Sequence, residues 1–529
     1  MSLTSASFVA FLCLVILLYY GPLKKFQWQT LLVANYVFYF FSGIGNLFYI
    51  LFTTIATYLV TRKMTSHQAQ TKAYIKDHKE DMSKEEKKAY KEGRKKSLFR
   101  WLLLDILLNI GLLAVVKYTN FTISNINAIL SLAGSSTVLS FWDIALPMGI
   151  SFYIFMSVGY AIDVYRGKYP AEENIFKLAC FISFFPQLIQ GPISRFDDLT
   201  ATLFAHHDLD FNVIKSGLTR VLWGFFKKLV IADRILIAVK VIIGDTDTYN
   251  GLFVFVGMVF YAIELYCDFT GGIDITIGVA EMLGITLKEN FIRPYFSKNL
   301  KEFWNRWHIT MGTWFTDYIF YPLSVSKKML HLSHVSREKL GDKLGKRVTV
   351  YLSAFIVWFA TGIWHGASWN FIVWGLLNYV VLMVSQELIP FYRFFHSRFN
   401  VLGKTWWKAF QIIRTCLIVA LLRCFDCYRD VPLTFKMYGS MLTNHNFSQV
   451  VELFPNLGLT AYDYGVIIVG VIIVFAVSMK SRAVSLRTQL FAKGYWLQFA
   501  VITALFIATL LWGIYGVGYD SSQFIYNQF

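Results

Sequence analysis

The chain has 529 residues, 56% hydrophobic and 18% aromatic, with a mean hydropathy of +0.49, and that composition excludes a water-soluble globular protein of this size. The formal charge of +17 does not single out nucleic acid as a partner. Lys and Arg collect in the segments between apolar runs, where the positive-inside rule expects them.

In chain order, runs long enough to approach a helical crossing of the roughly 30 Å hydrocarbon layer are Leu3–Tyr20, Leu47–Val60, Trp101–Val116, Val350–Trp364, Phe371–Gln386, Phe410–Leu422, Gly465–Met479 and Leu497–Val517. The pattern predicts an all-α, polytopic membrane protein. No basic region precedes the first run and no small-residue cleavage site follows it, so it reads as a retained span. Lys24 and Lys25 follow it, and thirteen Lys and Arg residues lie from Arg62 to Arg100. Both segments are expected on the cytoplasmic side, which puts the N-terminus outside. Arg62–Arg100 is lysine-rich and free of proline, and reads as a charged loop, helical or disordered. Thr119–Ser140 has no Lys or Arg and fits an external loop. Lys327–Arg347, Arg393–Lys408 and Lys480–Lys493 are basic, are expected to be cytoplasmic, and offer charge to anionic lipid, a phosphorylated donor or an acidic carrier.

The chain divides into N-terminal spans over residues 1–118, an unusual middle from Asp143 to Pro322, and a part from Val350 onward. The middle is interrupted by Pro147, Pro186, Pro192, Pro294, Pro322 and the pair Gly271–Gly272, residues that break or kink helices. Within a membrane, irregular backbone is tolerated only where it is buried in protein or lines a cavity, so the site is expected there. Of the six cysteines, five lie in or beside apolar runs and imply no disulfide framework. Cys424 and Cys427 have CxxC spacing without a second pair, so no metal is expected on them.

Three segments carry chemistry. The first, 260–284, holds Glu264, Asp268, Asp274 and Glu281 in an apolar run, where charge is costly. Glu264 and Asp268 share a helix face. These acids either point into a cavity or pair with arginines such as Arg220, Arg234 or Arg293. No His shares their face at ligand spacing, so no metal is implied. The second, 290–322, sets Trp304, Trp307 and Trp314 around Asn305, Arg306 and His308. Trp with basic residues is normal at a membrane interface, while the imidazole can relay a proton or hold a polar group. The third, 360–378, places His365 in an apolar run between Gly362 and Gly366, whose spacing lets a second backbone approach. This histidine is either a hydrogen-bonded tie between helices or a base able to take a proton from a hydroxyl. The chain contains no GxSxG, HExxH or Walker-type loop.

The blocks FFPQLIQGPISRF (184–196), the run from Tyr266 to Leu323 containing RWHIT (306–310), and GIWHGASWNFIVWG (362–375) resemble the membrane-bound O-acyltransferases. The likeness is strongest to the bacterial branch that includes alginate O-acetylase and the D-alanyl transferase of teichoic acids. LLRCFDC (421–427) resembles that family's late arginine-containing segment, so the core spans 143–430, followed by C-terminal spans over 431–529. The resemblance implies about 11–13 spanning or re-entrant helices around a central tunnel in a single membrane domain. It makes His365 the catalytic base on an acceptor hydroxyl, and puts His308 on the same path, orienting the donor or sharing the proton.

Substrate contacts are expected from Trp304, Asn305, Arg306 and Trp307 in the second segment, from Asp317, and from Trp364 and Asn370 beside His365. Trp or Asn side chains are expected to stabilise the oxyanion. The resemblance further implies no bound cofactor, a donor that is acetyl-CoA or another acyl-CoA or an acyl-carrier thioester, an extracytoplasmic partner protein, and the plasma membrane as location. Pro322, Leu323, Ser324 and Val325 stand where relatives often have PLGG. Chain length favours acetyl transfer to an exported polysaccharide or cell-wall glycan. D-alanyl transfer from a carrier protein stays open, as does a glycan or lipid transporter, which would also want broken helices and intramembrane acids.

Overall fold

The computed structural model describes residues 2–445, 447–481, 484–516 and 519. Among them the regular structure is helical, with no strand beyond one isolated bridge. The protein is a polytopic all-α membrane protein. By length and composition six of the helices among the described residues can cross a bilayer, namely Lys84–Leu132, Leu252–Met282, Lys327–His365, Trp369–Glu387, Ala461–Lys480 and Tyr495–Trp512. A seventh span results if Ala6–Tyr20 and Lys24–Phe40, bent by 100° at their junction, are counted together. Six of the eight apolar runs lie wholly on helices, while Leu3–Tyr20 begins three residues before its helix and Leu497–Val517 continues past Trp512, where its helix ends; Val517 is outside the described residues. The lower count reflects charge and length. Asn46–Asp77 is long but basic in its second half, Thr405–Tyr428 carries Lys408, Arg414 and Arg423 along its length, and the middle of the chain is cut into short pieces.

The chain forms two compact units. The first comprises Met1–Phe211 with Leu283–Leu287. Its charged segment Arg62–Arg100 is helical: Asn46–Asp77 and Lys84–Leu132 run antiparallel well past their apolar parts. Asn109 Nδ2 donates to Thr57 Oγ1 at 3.1 Å, and further out Arg94 Nε donates to Thr71 Oγ1 at 3.0 Å. The second helix starts on a reciprocal cap between Ser83 and Glu86, which satisfies two amide donors that would otherwise lack partners. Thr119–Ser140 is a loop only from its second half, because this helix runs to Leu132. The boundary expected near 118 therefore falls inside a helix.

The second unit comprises Asn212–Met282 and Lys288–Phe529. Gly271 and Gly272 do not break their helix, which is continuous over Leu252–Met282. Gly271 and Gly278 instead face Gly224 and Gly217 of the helix Phe211–Phe225. A Cβ on Gly224 would sit 2.5 Å from the Gly271 carbonyl oxygen, and one on Gly278 would sit 2.7 Å from that of Gly217. Glycines two turns apart on each helix thus let the backbones touch, the use that small residues have where water does not drive association. The prolines behave as the sequence suggests: Pro186, Pro294 and Pro322 each open a short helix.

Candidate active site

Three of the four acidic residues of the helix Leu252–Met282 are matched by nearby bases. Asp274 accepts from Arg220 Nε at 2.8 Å and Lys227 Nζ at 2.6 Å, and Glu281 accepts from Arg487 at 2.6 Å and Ser216 Oγ at 2.7 Å. Asp268 pairs with the fully buried Lys228, which also reaches Asp233 at 2.8 Å. Of the three arginines suggested as partners, Arg220 fills that role. Arg234 instead binds Asp463 at 3.1 Å, and Arg293 stacks on Phe296 at 4.5 Å. Glu264 is buried one turn from Asp268. This region reads as an ion-paired framework, since charges in a low-dielectric interior persist when paired and hydrogen-bonded.

His365 is the last residue of the helix Lys327–His365, a helix with one break at Gly341, where φ is +77°. The basic segment 327–347 is therefore helical on both sides of that break. The chain turns in extended conformation at Gly366 and re-enters a helix at Trp369. The two helices return antiparallel in close contact. A Cβ on Gly362 would lie 2.6 Å from the Phe371 carbonyl oxygen, and one on Gly375 would lie 2.6 Å from that of Trp358. This crossing fixes the turn that carries His365, whose ring is buried 4.7 Å from Trp374, 5.0 Å from Trp364 and 6.5 Å from Phe371. The turn is tied down by Asn370: its Oδ1 accepts from Ser368 Oγ at 2.5 Å, and its Nδ2 donates to the Phe425 carbonyl at 3.0 Å.

His308 caps the short helix Ile309–Phe315 and has φ +49°, ψ +51°. A bulky residue held in the left-handed region costs about 1–3 kcal/mol and persists only where its surroundings impose it. Here a short antiparallel pairing does so. Ile292 N–H donates to the Arg306 carbonyl at 2.9 Å, Ile309 N–H donates to that of Asn290 at 3.0 Å, and Phe291 faces Trp307 between them. The His308 ring is buried against Phe269 at 5.0 Å and Trp364 at 5.9 Å. Trp364 thus contacts both imidazoles, and the two motifs, 57 residues apart in sequence, meet at one place.

Arg423, on the helix Thr405–Tyr428, lies over three indoles, at 4.8 Å from Trp374, 5.3 Å from Trp307 and 5.7 Å from Trp304, and pairs with Asp426 at 3.1 Å. Trp304 also donates from Nε1 to Asn378 Oδ1 at 3.2 Å. The structure therefore gathers His308, His365, Trp304, Trp307 and Trp364, with Asn370 beneath the turn. Asn305 is exposed, and the half-buried Arg306 side chain pairs with Glu302 at 2.5 Å. Asp317 lies in the π-helical turn Thr316–Phe320, two turns beyond His308. The Pro322–Val325 departure forms the short helix Tyr321–Ser324, after which Ser326 caps the long helix through Met329 N–H. Asn290, Trp374 and Asp426 were not singled out from sequence. Asn290 and Trp374 lie inside segments already read as chemical and Asp426 inside the block 421–427 of the family resemblance, which is the one signal that pointed to them. Two imidazoles in a water-poor aromatic enclosure suit proton transfer to or from a bound group.

The family model described as membrane-bound O-acyltransferase matches residues 171–336, which include His308. The chain is 33% identical over 436 residues to a probable alginate O-acetylase of Pseudomonas syringae, covering 82% of this chain and 73% of the relative. It is 30% identical over 322 residues to a peptidoglycan O-acetyltransferase of Helicobacter pylori, covering 56% and 57%. It is 27% identical over 293 residues to a teichoic acid D-alanyltransferase of Bacillus subtilis, covering 53% and 67%.

Proposed function

Because the chain belongs to the membrane-bound O-acyltransferase family, and is an acyltransferase with several membrane spans, we propose that it moves an acetyl group from a cytoplasmic thioester to a hydroxyl of an exported polysaccharide or cell-wall glycan. The acceptor is the glycan itself or a hydroxyl of an extracytoplasmic partner protein that passes the acetyl group on. The membrane is the plasma membrane, with the N-terminus outside.

One observation carries the reading: His365 is buried at a glycine-packed turn and shares the Trp364 ring with His308. In the proposed reaction His365 accepts the proton of the acceptor hydroxyl as its oxygen adds to the thioester carbonyl. The C–S bond then breaks, and the proton passes from His365 to the leaving thiolate. Protons and charge balance within the site, so no cofactor is needed. Acetyl-CoA is the donor favoured, because relatives at 33% and 30% identity carry O-acetylase and O-acetyltransferase names. The D-alanyltransferase names among the other relatives keep an acyl-carrier thioester as the second reading.

Membranes bearing the protein, supplied separately with acetyl-CoA and with acyl-carrier thioester, distinguish the two by release of free thiol. His365→Ala is expected to stay in the membrane at normal levels while acetyl groups on the surface polymer disappear. Normal acetyl content in that variant would remove His365 from the chemistry, and loss of polymer export with acetylation intact would point to transport.

A further inference from the structure

We propose that Asn290 is a positioning residue that holds neutral His308 as the Nε2–H tautomer, which makes His308 a hydrogen-bond donor to the thioester carbonyl oxygen and leaves His365 as the base. The inference rests on the acyl-transfer reading above and assigns the two histidines different tasks.

The argument begins with the amide of Asn290, whose two ends are set by its neighbours. Its Oδ1 accepts from the backbone N–H of Thr310 at 3.0 Å and from Thr310 Oγ1 at 2.9 Å. A backbone N–H can only donate, so the oxygen must occupy that side, and two donors use both of its lone pairs. The amide nitrogen then points its hydrogens elsewhere, and Nδ2 lies 3.1 Å from His308 Nδ1, against 3.3 Å from that ring nitrogen to Oδ1. With Nδ2–H donating, Nδ1 is an acceptor, and the ring proton of neutral imidazole resides on Nε2.

The surroundings leave little freedom for the reverse arrangement. Asn290 and His308 are both buried, and the backbone bonds on either side of Phe291 and Trp307 hold them in register. The left-handed backbone at His308 fits the same account, since it is what turns the ring back toward Asn290 at the entrance of the helix Ile309–Phe315.

The chemical consequence concerns charge that appears during the reaction. As the acceptor oxygen adds to the carbonyl carbon, negative charge grows on the carbonyl oxygen, and a preorganised N–H aimed there is worth about 10²- to 10³-fold in kcat. A second base would find no second proton to take, because the reaction moves one proton from hydroxyl to thiolate. One base and one donor, both packed against the Trp364 ring, meet both needs.

The test uses the full-length protein in membranes or detergent. In protein labelled with 15N-histidine, the His308 signals, identified by their loss in His308→Gln, are expected to show Nδ1 without a proton and Nε2 with one. A protonated Nδ1 in the wild-type protein would overturn the proposal, and this measurement needs no turnover. Asn290→Asp keeps the size and the bond from Thr310 but replaces the donor with a carboxylate. It is expected to invert the tautomer and lower kcat about 10²- to 10³-fold with KM nearly unchanged. Inverted signals with an unchanged rate would show that His308 donates nothing in the reaction. His308→Gln, whose amide N–H reaches about as far as Nε2–H, is expected to retain more activity than His308→Asn, and the opposite order would refute the donor role. Failure of the acyl-transfer reading itself shows separately, as wild-type protein that releases no thiol from acetyl-CoA or from an acyl-carrier thioester.

Discussion

Gly362→Ala probes whether the crossing of the two helices sets the position of His365. A Cβ on Gly362 would stand 2.6 Å from the Phe371 carbonyl oxygen and 3.1 Å from Ile372 Cα, whereas ordinary contact begins at 3.4 Å, so the backbones must part by about 0.8 Å. Sliding gives no relief, because Gly375 on the opposite helix already lies against Gly362 and the Trp358 carbonyl. Overpacking of this kind costs about 1–3 kcal/mol, and the roughly 1 kcal/mol that alanine gains over glycine within a helix offsets part of it. The expected net loss is about 0–2 kcal/mol. The effect on rate is larger, because His365 is one turn away and a displacement near 1 Å costs about 10²-fold, so a fall of roughly 10- to 100-fold is expected. Thiol release by membranes matched for protein level measures the rate, and thermal unfolding in detergent measures stability. Gly111→Ala is the control: a Cβ there meets nothing within 4 Å, so the rate should hold and stability should rise by up to about 1 kcal/mol. A Gly362→Ala protein with wild-type rate and melting point would refute the reasoning.

Arg423→Met removes the partner of buried Asp426 and should destabilise by about 3–5 kcal/mol, while the double variant Arg423→Met with Asp426→Leu should recover most of that loss. Comparing thermal midpoints of the two variants checks this, and equal midpoints would show that the pair is not coupled. Asn370→Leu removes one of the two donors to the Phe425 carbonyl, which keeps the Arg429 N–H at 3.2 Å, and should cost about 0.5–1.5 kcal/mol. The same thermal measurement reads that cost, and an unchanged midpoint would mean that the turn is held by the glycine crossing alone.

Much of the fold is legible in the sequence because length and hydropathy act locally, and each of the eight apolar runs is helical over most of its length. Two features escaped for one reason: local rules are silent about what lies opposite. Glycines at 271 and 272 read as breaks by intrinsic propensity, yet the partner glycines 217 and 224, some fifty residues earlier, turn them into a packing surface. In the same way, the charged segment 62–100 had no apolar face to identify it as helix or loop. Its order comes from side chains such as Arg94 and Thr71 meeting across the hairpin.

The site shows the same division between cost and partner. Sequence reveals that a charge or an imidazole in an apolar run is expensive, and this singled out His365, His308 and the four acids. It cannot say which of these are repaid by neighbours, because the partners lie far along the chain. Asp274 and Glu281 are bound to Arg220, Lys227 and Arg487, and so belong to the framework. Asn290, by contrast, drew no notice, since it follows Lys288 and Glu289 outside the apolar runs, where a polar residue is ordinary. Its importance lies in direction, with an acceptor end pinned by Thr310 and a donor end turned to His308. Direction is a property of the folded backbone, so the role of His308 as donor or base is decided by an amide whose orientation no residue count can express.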